Sequence, residues 1–274
     1  MTEVLVQAGP VRALAALFDT GLPAPGPGDP LPPLWHWAAL PTWPPAGETG
    51  PDGHPRHVTP PHPPGFPRRM FAGGTVRLLA DLTVGSTVDR TVEVLSTTPK
   101  SGRQGDFVLS TVQTRLTRAD GVLAVVETQD IVYRPASPPT SAAPVLPEAS
   151  SVDALLSPAD RPGEWVLRTD PVRLMRFSAA TANGHRIHYD LAYAMGVEGY
   201  PGLVVHGPLM TLALLETVRL RDAALVTEVT HRNMRPLFCG QEARITGTDE
   251  LSLSTVDGVH VTARVAGGSP SVSA

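Results

Sequence analysis

Residues 207–218 read Gly-Pro-Leu-Met-Thr-Leu-Ala-Leu-Leu-Glu-Thr-Val. Gly207-Pro208 is typical of a helix start, because proline is well tolerated in the first turn of a helix. The side chains that follow at helical spacing predict a helix; they are Leu209, Leu212, Ala213, Leu215, Glu216 and Val218. Predicted antiparallel strands come next. This order predicts an α+β unit in which the sheet wraps the helix.

Both halves of the chain end in the same pattern, two predicted strands around an Asp-Gly pair, which is a strong hairpin signal. These strand pairs are 107–117 with 122–133, around Asp120-Gly121, and 251–255 with 259–265, around Asp257-Gly258. Further strands are predicted at 88–94, 225–229 and 243–248. Residues 88–94 alternate as a half-buried strand does. The shared layout indicates a duplicated antiparallel unit.

Two proline-rich stretches organise the chain. Residues 23–67 lack a helical or strand period, and we expect ordered irregular chain that wraps a core. Residues 135–147 have no charged side chain, as is typical of a linker. We therefore expect a first half at 1–134, a linker at 135–164 and a second half at 165–274. Before the second half's long helix, Asp170-Pro171 predicts an N-cap and a helix that continues to Ala180.

Charge and composition exclude several function classes. The 274 residues have a formal net charge of −4 and a pI near 6.1, so nothing in the charge balance favours nucleic acid or anionic lipid. Cys239 is the sole cysteine, which excludes an internal disulfide. The chain has no signal-peptide pattern and no apolar run of the ~20 residues that a membrane span needs. We expect a cytoplasmic protein.

The densest polar cluster in the sequence is Asn183-Gly184-His185-Arg186-Ile187-His188-Tyr189-Asp190. Two histidines beside an asparagine and an aspartate are candidates for acid–base chemistry. A helix C-cap at Asn183 or Gly184, followed by a polar loop, is the structural alternative. A zinc site formed by His185, His188 and Asp190 is a second alternative, although no further cluster with metal-ligand spacing supports it.

A second candidate segment runs from Gly199 to Pro208 and includes Tyr200 and His206-Gly207. It ends at a predicted helix start, where free backbone N–H groups and the helix dipole favour a developing oxyanion or a phosphate. The alternative is a tight turn that needs glycine.

Together the two segments resemble the MaoC-like (R)-specific hydratases, whose pattern is Asp-x-Asn-Pro-x-His followed about eighteen residues later by His-Gly. His188 falls on the catalytic histidine of that family. Gly207 falls on the glycine whose N–H polarises the thioester carbonyl. Asn183 stands where the family usually has its catalytic aspartate, and His185 where it has asparagine. This departure puts a simple Asp–His dyad mechanism in doubt.

The first half resembles one branch of that superfamily, the type 2 hydroxyacyl-thioester dehydratases and the mesaconyl-CoA and itaconyl-CoA hydratases. The segments that carry this resemblance are Trp35-His36-Trp37, Asp52-Gly53-His54-Pro55, Pro67 to Gly74 and Thr128 to Arg134. The branch also has Asn-Gly-His-Arg-Ile-His, so the asparagine is expected to be a trait of the branch. The resemblance covers residues 30–245.

The resemblance implies a double hot-dog fold, with two antiparallel sheets that each wrap a central helix. It places the active site in the second half and an acyl channel beside the first. Arg68, Arg69, His206 and Tyr200 are expected to bind the substrate, although an exposed arginine pair is often only solvated. Other residues receive structural interpretations. Trp35 and Trp37 are expected in the core or a pocket wall, Lys100 to Arg103 in a basic turn, and His54, His57 and His62 in a solvated loop.

The implied reaction is the hydration of an enoyl thioester, or the reverse dehydration of a 3-hydroxyacyl thioester. His188 is the expected acid/base and the Gly207 N–H the oxyanion donor. Asn183 would orient water, with His185 as a second acid/base, because a neutral amide takes no proton near pH 7. No metal or cofactor is implied. Coenzyme A or acyl carrier protein carries the acyl group, and a homodimer is expected because hot-dog proteins commonly dimerise.

Three alternative functions remain open from the sequence alone. A hot-dog thioesterase would need a carboxylate near the thioester, and Asp190 and Glu216 are the candidates. A non-catalytic acyl-thioester binding protein would not need the polar cluster. A structural subunit whose partner holds the activity is the third alternative.

Overall fold

The computed structural model describes residues 1–102, 105–145, 154–221 and 225–268. In these ranges the secondary structure consists of eleven strands, five α-helices and two single 3-10 turns. The strands of the first half are β1 (Thr2–Leu5), β2 (Arg68–Leu78), β3 (Thr87–Gly102), β4 (Gly105–Arg118) and β5 (Leu123–Arg134). Those of the second half are β6 (Leu156–Pro158), β7 (Trp165–Leu167), β8 (Leu225–Asn233), β9 (Ala243–Thr246), β10 (Glu250–Thr255) and β11 (Gly258–Gly268).

The helices are α1 (Ala8–Phe18), α2 (His36–Ala39), α3 (Pro171–Ala180), α4 (Leu191–Gly196) and α5 (Gly207–Arg219), and the 3-10 turns are Ala46–Glu48 and Arg186–His188. The two helix starts predicted in the second half are confirmed. Asp170 accepts a hydrogen bond from the backbone N–H of Arg173 at 2.8 Å, as an N-cap does. No helix in the described ranges is long and apolar enough to cross a membrane.

All strands belong to one antiparallel sheet in the order β1-β3-β4-β5-β2-β8-β11-β10-β9-β7-β6. The two halves have nearly the same strand order from the outer edge toward the middle of the sheet. In the first half this order is β1-β3-β4-β5-β2, and in the second half it is β7-β9-β10-β11-β8. The predicted duplicated unit is therefore visible in the topology. The halves join through β2 and β8, where Val76 pairs with Val229 and neither is exposed to solvent. The two halves thus share one continuous sheet.

The two units differ in what their part of the sheet covers. In the second half, α5 lies against β10, β11 and β2, and most of its residues are buried. At the corresponding place in the first half, before β2, the helix α2 has only four residues. Irregular chain follows it to residue 67, as the proline-rich composition predicted.

The first half is tied to α5 by a buried hydrogen bond. Trp35 is 1% exposed, and its indole N–H donates to Glu216 Oε1 at 2.8 Å. Arg219 pairs with the other carboxylate oxygen at 3.0 Å and lies over the Trp35 ring. Burial raises the pKa of Glu216, although Arg219 and Trp35 oppose that change. The core position expected for Trp35 is confirmed.

Two segments differ from what their sequence suggested. Residues 88–94 do form a strand, but Val92 and Val94 are about two-fifths exposed (41% and 40%), so this part of β3 is not half-buried. In the 135–164 segment, residues 135–145 run along the second half, where the Val145 N–H donates to the Pro201 carbonyl at 2.7 Å. Farther on, Leu156–Pro158 forms β6. The division at 134 and 165 stays a prediction.

We predict that Trp35→Phe lowers the free energy of unfolding by about 1–3 kcal/mol, because it leaves a buried carboxylate oxygen of Glu216 without its donor. Denaturant titration measures this change. Trp43→Phe is the matched control, since Trp43 is 57% exposed. Equal effects of the two substitutions would show that the Trp35 hydrogen bond does not hold the halves together.

Candidate active site

Four histidine rings form a row where the two halves meet. His54, from the first half, lies 4.2 Å from His185 between ring centroids. The His185 ring meets His188 edge-on at 5.5 Å, and His188 stacks on His206 at 3.5 Å. We call this set the histidine row. The solvated position expected for His54 is wrong, because its ring packs against His185.

The loop that carries His185 and His188 is shaped by Asn183. Helix α3 ends at Ala180, and Ala182 takes the left-handed conformation with φ 48°. The Asn183 N–H donates to the Ser178 carbonyl at 2.9 Å, and its side-chain Oδ1 accepts from the His185 N–H at 3.0 Å. The oxygen of Asn183 therefore closes the turn, a local role that asparagine side chains commonly fill.

His188 is held as a neutral imidazole. Its Nδ1 lies 2.7 Å from the Val204 carbonyl, which can only accept, so Nδ1 carries the proton and Nε2 keeps its lone pair. Burial, reinforced by His206 and His185, lowers the pKa of His188 well below 6.5. This is the state that a general base needs at neutral pH.

His206, at the inner end of the row, is completely buried. Its Nε2 lies 2.9 Å from the Ser178 hydroxyl, and its Nδ1 has no partner among the described residues. Burial lowers the pKa of His206 to about 3, so its ring is neutral at physiological pH. It supports His188 through stacking and leads directly into α5.

Gly207 begins α5. Its backbone N–H has no hydrogen-bond partner within the helix, because it belongs to the first helical turn. A side chain at this position would press on Phe71 from β2 and on Asn233 from β8. The Asn233 side-chain amide has no hydrogen-bond partner in the part of the chain that the structure describes. The start of α5 is therefore lined by polar donors and one aromatic wall.

A buried ion pair lies beside His185. Arg68 Nε contacts Glu198 Oε2 at 2.8 Å, and Glu198 Oε1 lies 3.7 Å from His185 Nε2. Burial alone would raise the pKa of Glu198, but His185 and Arg68 together hold it below its usual value. The Arg68 guanidinium also lies over the Tyr200 ring, 5.1 Å from its centroid. Arg68 and Tyr200 thus reach this cluster together, and Glu198 was missed at the sequence level.

Arg69 lies on the same side but in a different environment. It interacts with the Tyr133 hydroxyl and is close enough to His54 to lower that histidine's pKa. Its Nε is buried without a hydrogen-bond partner, and it forms no ion pair within the described ranges. Arg68 is therefore already neutralised by a carboxylate, whereas Arg69 is not.

Other candidate carboxylates lie elsewhere. Asp190 pairs with Arg186 at 2.7 Å and accepts from the Tyr193 N–H at the start of α4, so it does not join the histidines. Glu216 is engaged by Trp35 and Arg219. The alternative zinc site formed by His185, His188 and Asp190 is therefore wrong, and neither Asp190 nor Glu216, the carboxylates considered for a thioesterase, lies beside the histidine row.

One group of three potential metal ligands occurs among the described residues, namely Asp52, His54 and His185, with ligand atoms within 4.8 Å of one another. Asp52 Oδ2 and His54 Nδ1 are 2.9 Å apart and hydrogen-bonded, which occupies both atoms. The group fits a carboxylate–imidazole pair beside a second ring. Lys100 lies on the exposed end of β3, and Arg103 is outside the described residues.

Comparison with known proteins identifies the family of this chain. Residues 34–239 match the family model of hydroxyacyl-thioester dehydratase type 2. The chain is 40% identical over 229 residues to the mesaconyl-C(4)-CoA hydratase of Chloroflexus aurantiacus, an alignment that covers 82% of this chain and 78% of that protein.

Solved structures agree on the fold. HtdX from Mycobacterium tuberculosis superimposes with a TM-score of 0.64 at 20% identity, covering 97% of this chain and 98% of that one. A conserved hypothetical protein from the same organism, described as a double hotdog, gives a TM-score of 0.53 at 14% identity over 96% and 92% of the two chains. The double hot-dog α+β fold expected from the sequence is confirmed. This chain belongs to the hydroxyacyl-thioester dehydratase type 2 family, within the MaoC-like superfamily of acyl-thioester hydratases and dehydratases.

Proposed function

We propose that this protein adds water to the double bond of an enoyl-CoA whose acyl group bears a second carboxylate, as a mesaconyl group does. The observation that carries the proposal is the state of the His188 ring. This buried, neutral ring has a fixed Nδ1–H and a free Nε2, and it lies one stacked ring away from the start of α5. The 40% identity to a mesaconyl-C(4)-CoA hydratase supports the substrate class.

In this mechanism the thioester oxygen lies at the start of α5, where the Gly207 N–H stabilises the negative charge that develops on it. His188 Nε2 takes a proton from water, and the oxygen of that water attacks the β-carbon. The α-carbon then needs a proton, for which His185 is the candidate named by the sequence. The oxygen of Asn183 holds the loop, while its NH₂ group, which has no protein partner in the described ranges, can orient water.

The charges around the row favour an acyl group with a carboxylate. Arg69 is a partly buried cation that forms no ion pair within the described ranges, on the side of the site formed by the first half. A guanidinium in such a place binds a carboxylate strongly, because its planar fork matches the two oxygens. Tyr200 completes the proposed substrate contacts, and because His206 is completely buried, its proposed contribution is indirect, through the stacked ring of His188. Cytoplasmic location and a homodimer stay predictions.

A panel of enoyl-CoAs that includes mesaconyl, itaconyl and crotonyl thioesters tests the proposed reaction. We expect loss of enoyl absorbance and a mass gain of one water, without release of thiol. Release of free coenzyme A would indicate hydrolysis and contradict the proposal. A lack of any turnover by the isolated protein would favour the binding or structural alternatives.

We predict that His188→Ala lowers the hydration rate by about 10²–10⁴-fold, the usual effect of removing one positioned proton-transfer group. His57→Ala is the control, because His57 is exposed in the proline-rich segment. Because the pKa of His188 is depressed, the acid limb of the wild-type pH–rate profile should lie well below pH 6.5. Near-normal hydration by His188→Ala would show that the site is misplaced.

We predict that Asn183→Asp stays active and moves the acid limb of the profile to higher pH. An aspartate oxygen can accept the same His185 N–H, so the turn is preserved. The added negative charge beside His185 and His188 stabilises their protonated forms and raises their pKa values. The profile of kcat against pH for the variant and the wild type measures the shift. A movement to lower pH would contradict this electrostatic assignment.

We predict that Arg69→Met discriminates between substrates and Arg68→Met does not. Loss of a charge-assisted carboxylate contact should weaken turnover of mesaconyl-CoA about ten- to a hundredfold and leave crotonyl-CoA nearly unchanged. Arg68→Met leaves Glu198 unpaired beside His185 and should impair both substrates. The ratios of kcat/KM measure both effects. Equal losses of kcat/KM for the two substrates in Arg69→Met would show that this arginine does not bind the carboxylate of the acyl group.

A further inference from the structure

The turn at residues 50–54 reaches across from the first half and locks onto the loop of the second half that carries the site. The Arg186 N–H donates to the Asp52 carbonyl at 2.9 Å, and the Arg186 guanidinium donates to the Pro51 carbonyl at 3.1 Å. Gly53 has a φ of +93°, and a side chain there would overlap the carbonyl oxygen of Gly184. These contacts fix the backbone at residues 51–53, which carries Asp52 and leads directly into His54.

Within this turn, Asp52 and His54 form a tight pair. One oxygen of Asp52 lies 2.9 Å from His54 Nδ1, and the other accepts the backbone N–H of His54 at 3.1 Å. Burial alone would raise the pKa of Asp52, but the hydrogen bond and charge of His54 hold it below its usual range. An ionised carboxylate only accepts, so Nδ1 carries the proton and Nε2 is the atom free to exchange one.

The pair stands at the outer end of the histidine row. Its side chains are 15% exposed at His54 and 22% at Asp52, whereas that of His185 is 6% exposed. His54 and His188 thus resemble each other, since each has Nδ1 fixed and Nε2 free. They differ in what fixes them. Asp52 favours the imidazolium form of His54, although burial leaves the pKa of His54 below 6.5, and a carbonyl with deep burial keeps His188 neutral.

We propose that His54, oriented by Asp52, donates the proton to the α-carbon of the substrate, and that this pair replaces the aspartate absent at position 183. The inference rests on the proposed hydration reaction and adds a group from the first half to it. The second half has an amide at Asn183 in place of a carboxylate. In this proposal the first half supplies the carboxylate of Asp52, which acts through the imidazole of His54.

The proton balance of the reaction is then complete. His188 Nε2 removes one proton from water, the oxygen bonds to the β-carbon, and the π electrons of the double bond move onto the thioester as an enolate. The enolate re-forms the carbonyl as the α-carbon takes the proton from His54 Nε2. His188 ends protonated and His54 neutral. His185, which contacts both rings, lies where it can return that proton for the next turnover.

Three groups set the protonation of His54. Burial has the largest effect and lowers the pKa of His54 below 6.5, and the electrostatic interactions with His185 and Arg69 act in the same direction. Asp52 opposes them. Removal of the Asp52 charge must therefore lower the pKa of His54 further. Because a donor acts only when protonated, the alkaline limb of the pH–rate profile must then move to lower pH.

His54→Gln and Asp52→Asn test the proposal, with His57→Ala as a matched histidine from the same segment. We expect His54→Gln to lower kcat by about 10²–10⁴-fold with little change in KM. Asp52→Asn keeps a hydrogen-bond acceptor and should move the alkaline limb down by about one pH unit or more. His57→Ala should behave as wild type. Thermal melting checks that each variant folds.

Several outcomes would overturn the proposal. A His54→Gln variant that keeps its kcat, while His188→Ala is inactive, removes His54 from the mechanism and leaves the proposed function intact. If the alkaline limb of the Asp52→Asn profile stays in place or moves to higher pH, the Asp52–His54 pair does not donate the proton. Loss of wild-type activity on chelation, with metal found in the protein and absent from His54→Gln, would make the group a metal site. Hydration that survives His188→Ala would instead contradict the proposed function itself.

Discussion

The pairing of β2 with β8 is the constraint on which the rest of the molecule depends. These strands belong to different halves, and their antiparallel register from Gly73 with Arg232 to Arg77 with Glu228 turns two sheets into one. The same pairing brings Phe71 and Asn233 to the start of α5. Because these contacts come from both sides of the join, the environment of the Gly207 N–H exists only when the two halves are docked.

The electrostatics of the histidine row follow from burial more than from charge. Four imidazoles in contact would repel one another if all were protonated, and desolvation holds the inner pair neutral. Among the described residues, carboxylates contact the row only at its outer part, where Asp52 meets His54 and Glu198 approaches His185. The row therefore has a neutral inner end and an outer end that can accept charge, a separation that acid–base catalysis requires.

Much of the fold could be predicted from the sequence, because helix starts and Asp-Gly hairpins are local signals. Asp170-Pro171 and Gly207-Pro208 each begin a helix, and both hairpins form. The N-terminal β1 and α1 were not predicted, and β6 falls in a segment whose composition resembles a linker. The exposure of Val92 and Val94 depends on what covers β3, which a period-two pattern does not specify.

The site was predictable only where its residues are close in sequence. Asn183, His185 and His188 occur within six residues, and His206-Gly207 follows at a spacing that the family shares. The partners that set their protonation come from far along the chain. Asp52 and His54 are about 130 residues away, in a segment that resembles the family but whose histidine is expected, from sequence, in a solvated loop. Glu198 gave no signal, since an isolated glutamate has many possible partners and only the folded chain selects Arg68 and His185.

The four-residue α2 has a consequence for how such a protein can change over time. In the second half the chemistry is attached to the 13-residue helix α5, where an insertion would disturb every following turn. In the first half the corresponding place is occupied by irregular chain, which accommodates changes of length at low cost. The two halves therefore differ in how much change of chain length they tolerate beside the sheet. New acyl specificities should therefore arise by changes of length in residues 40–67 outside the turn at residues 50–54, with α5 left intact.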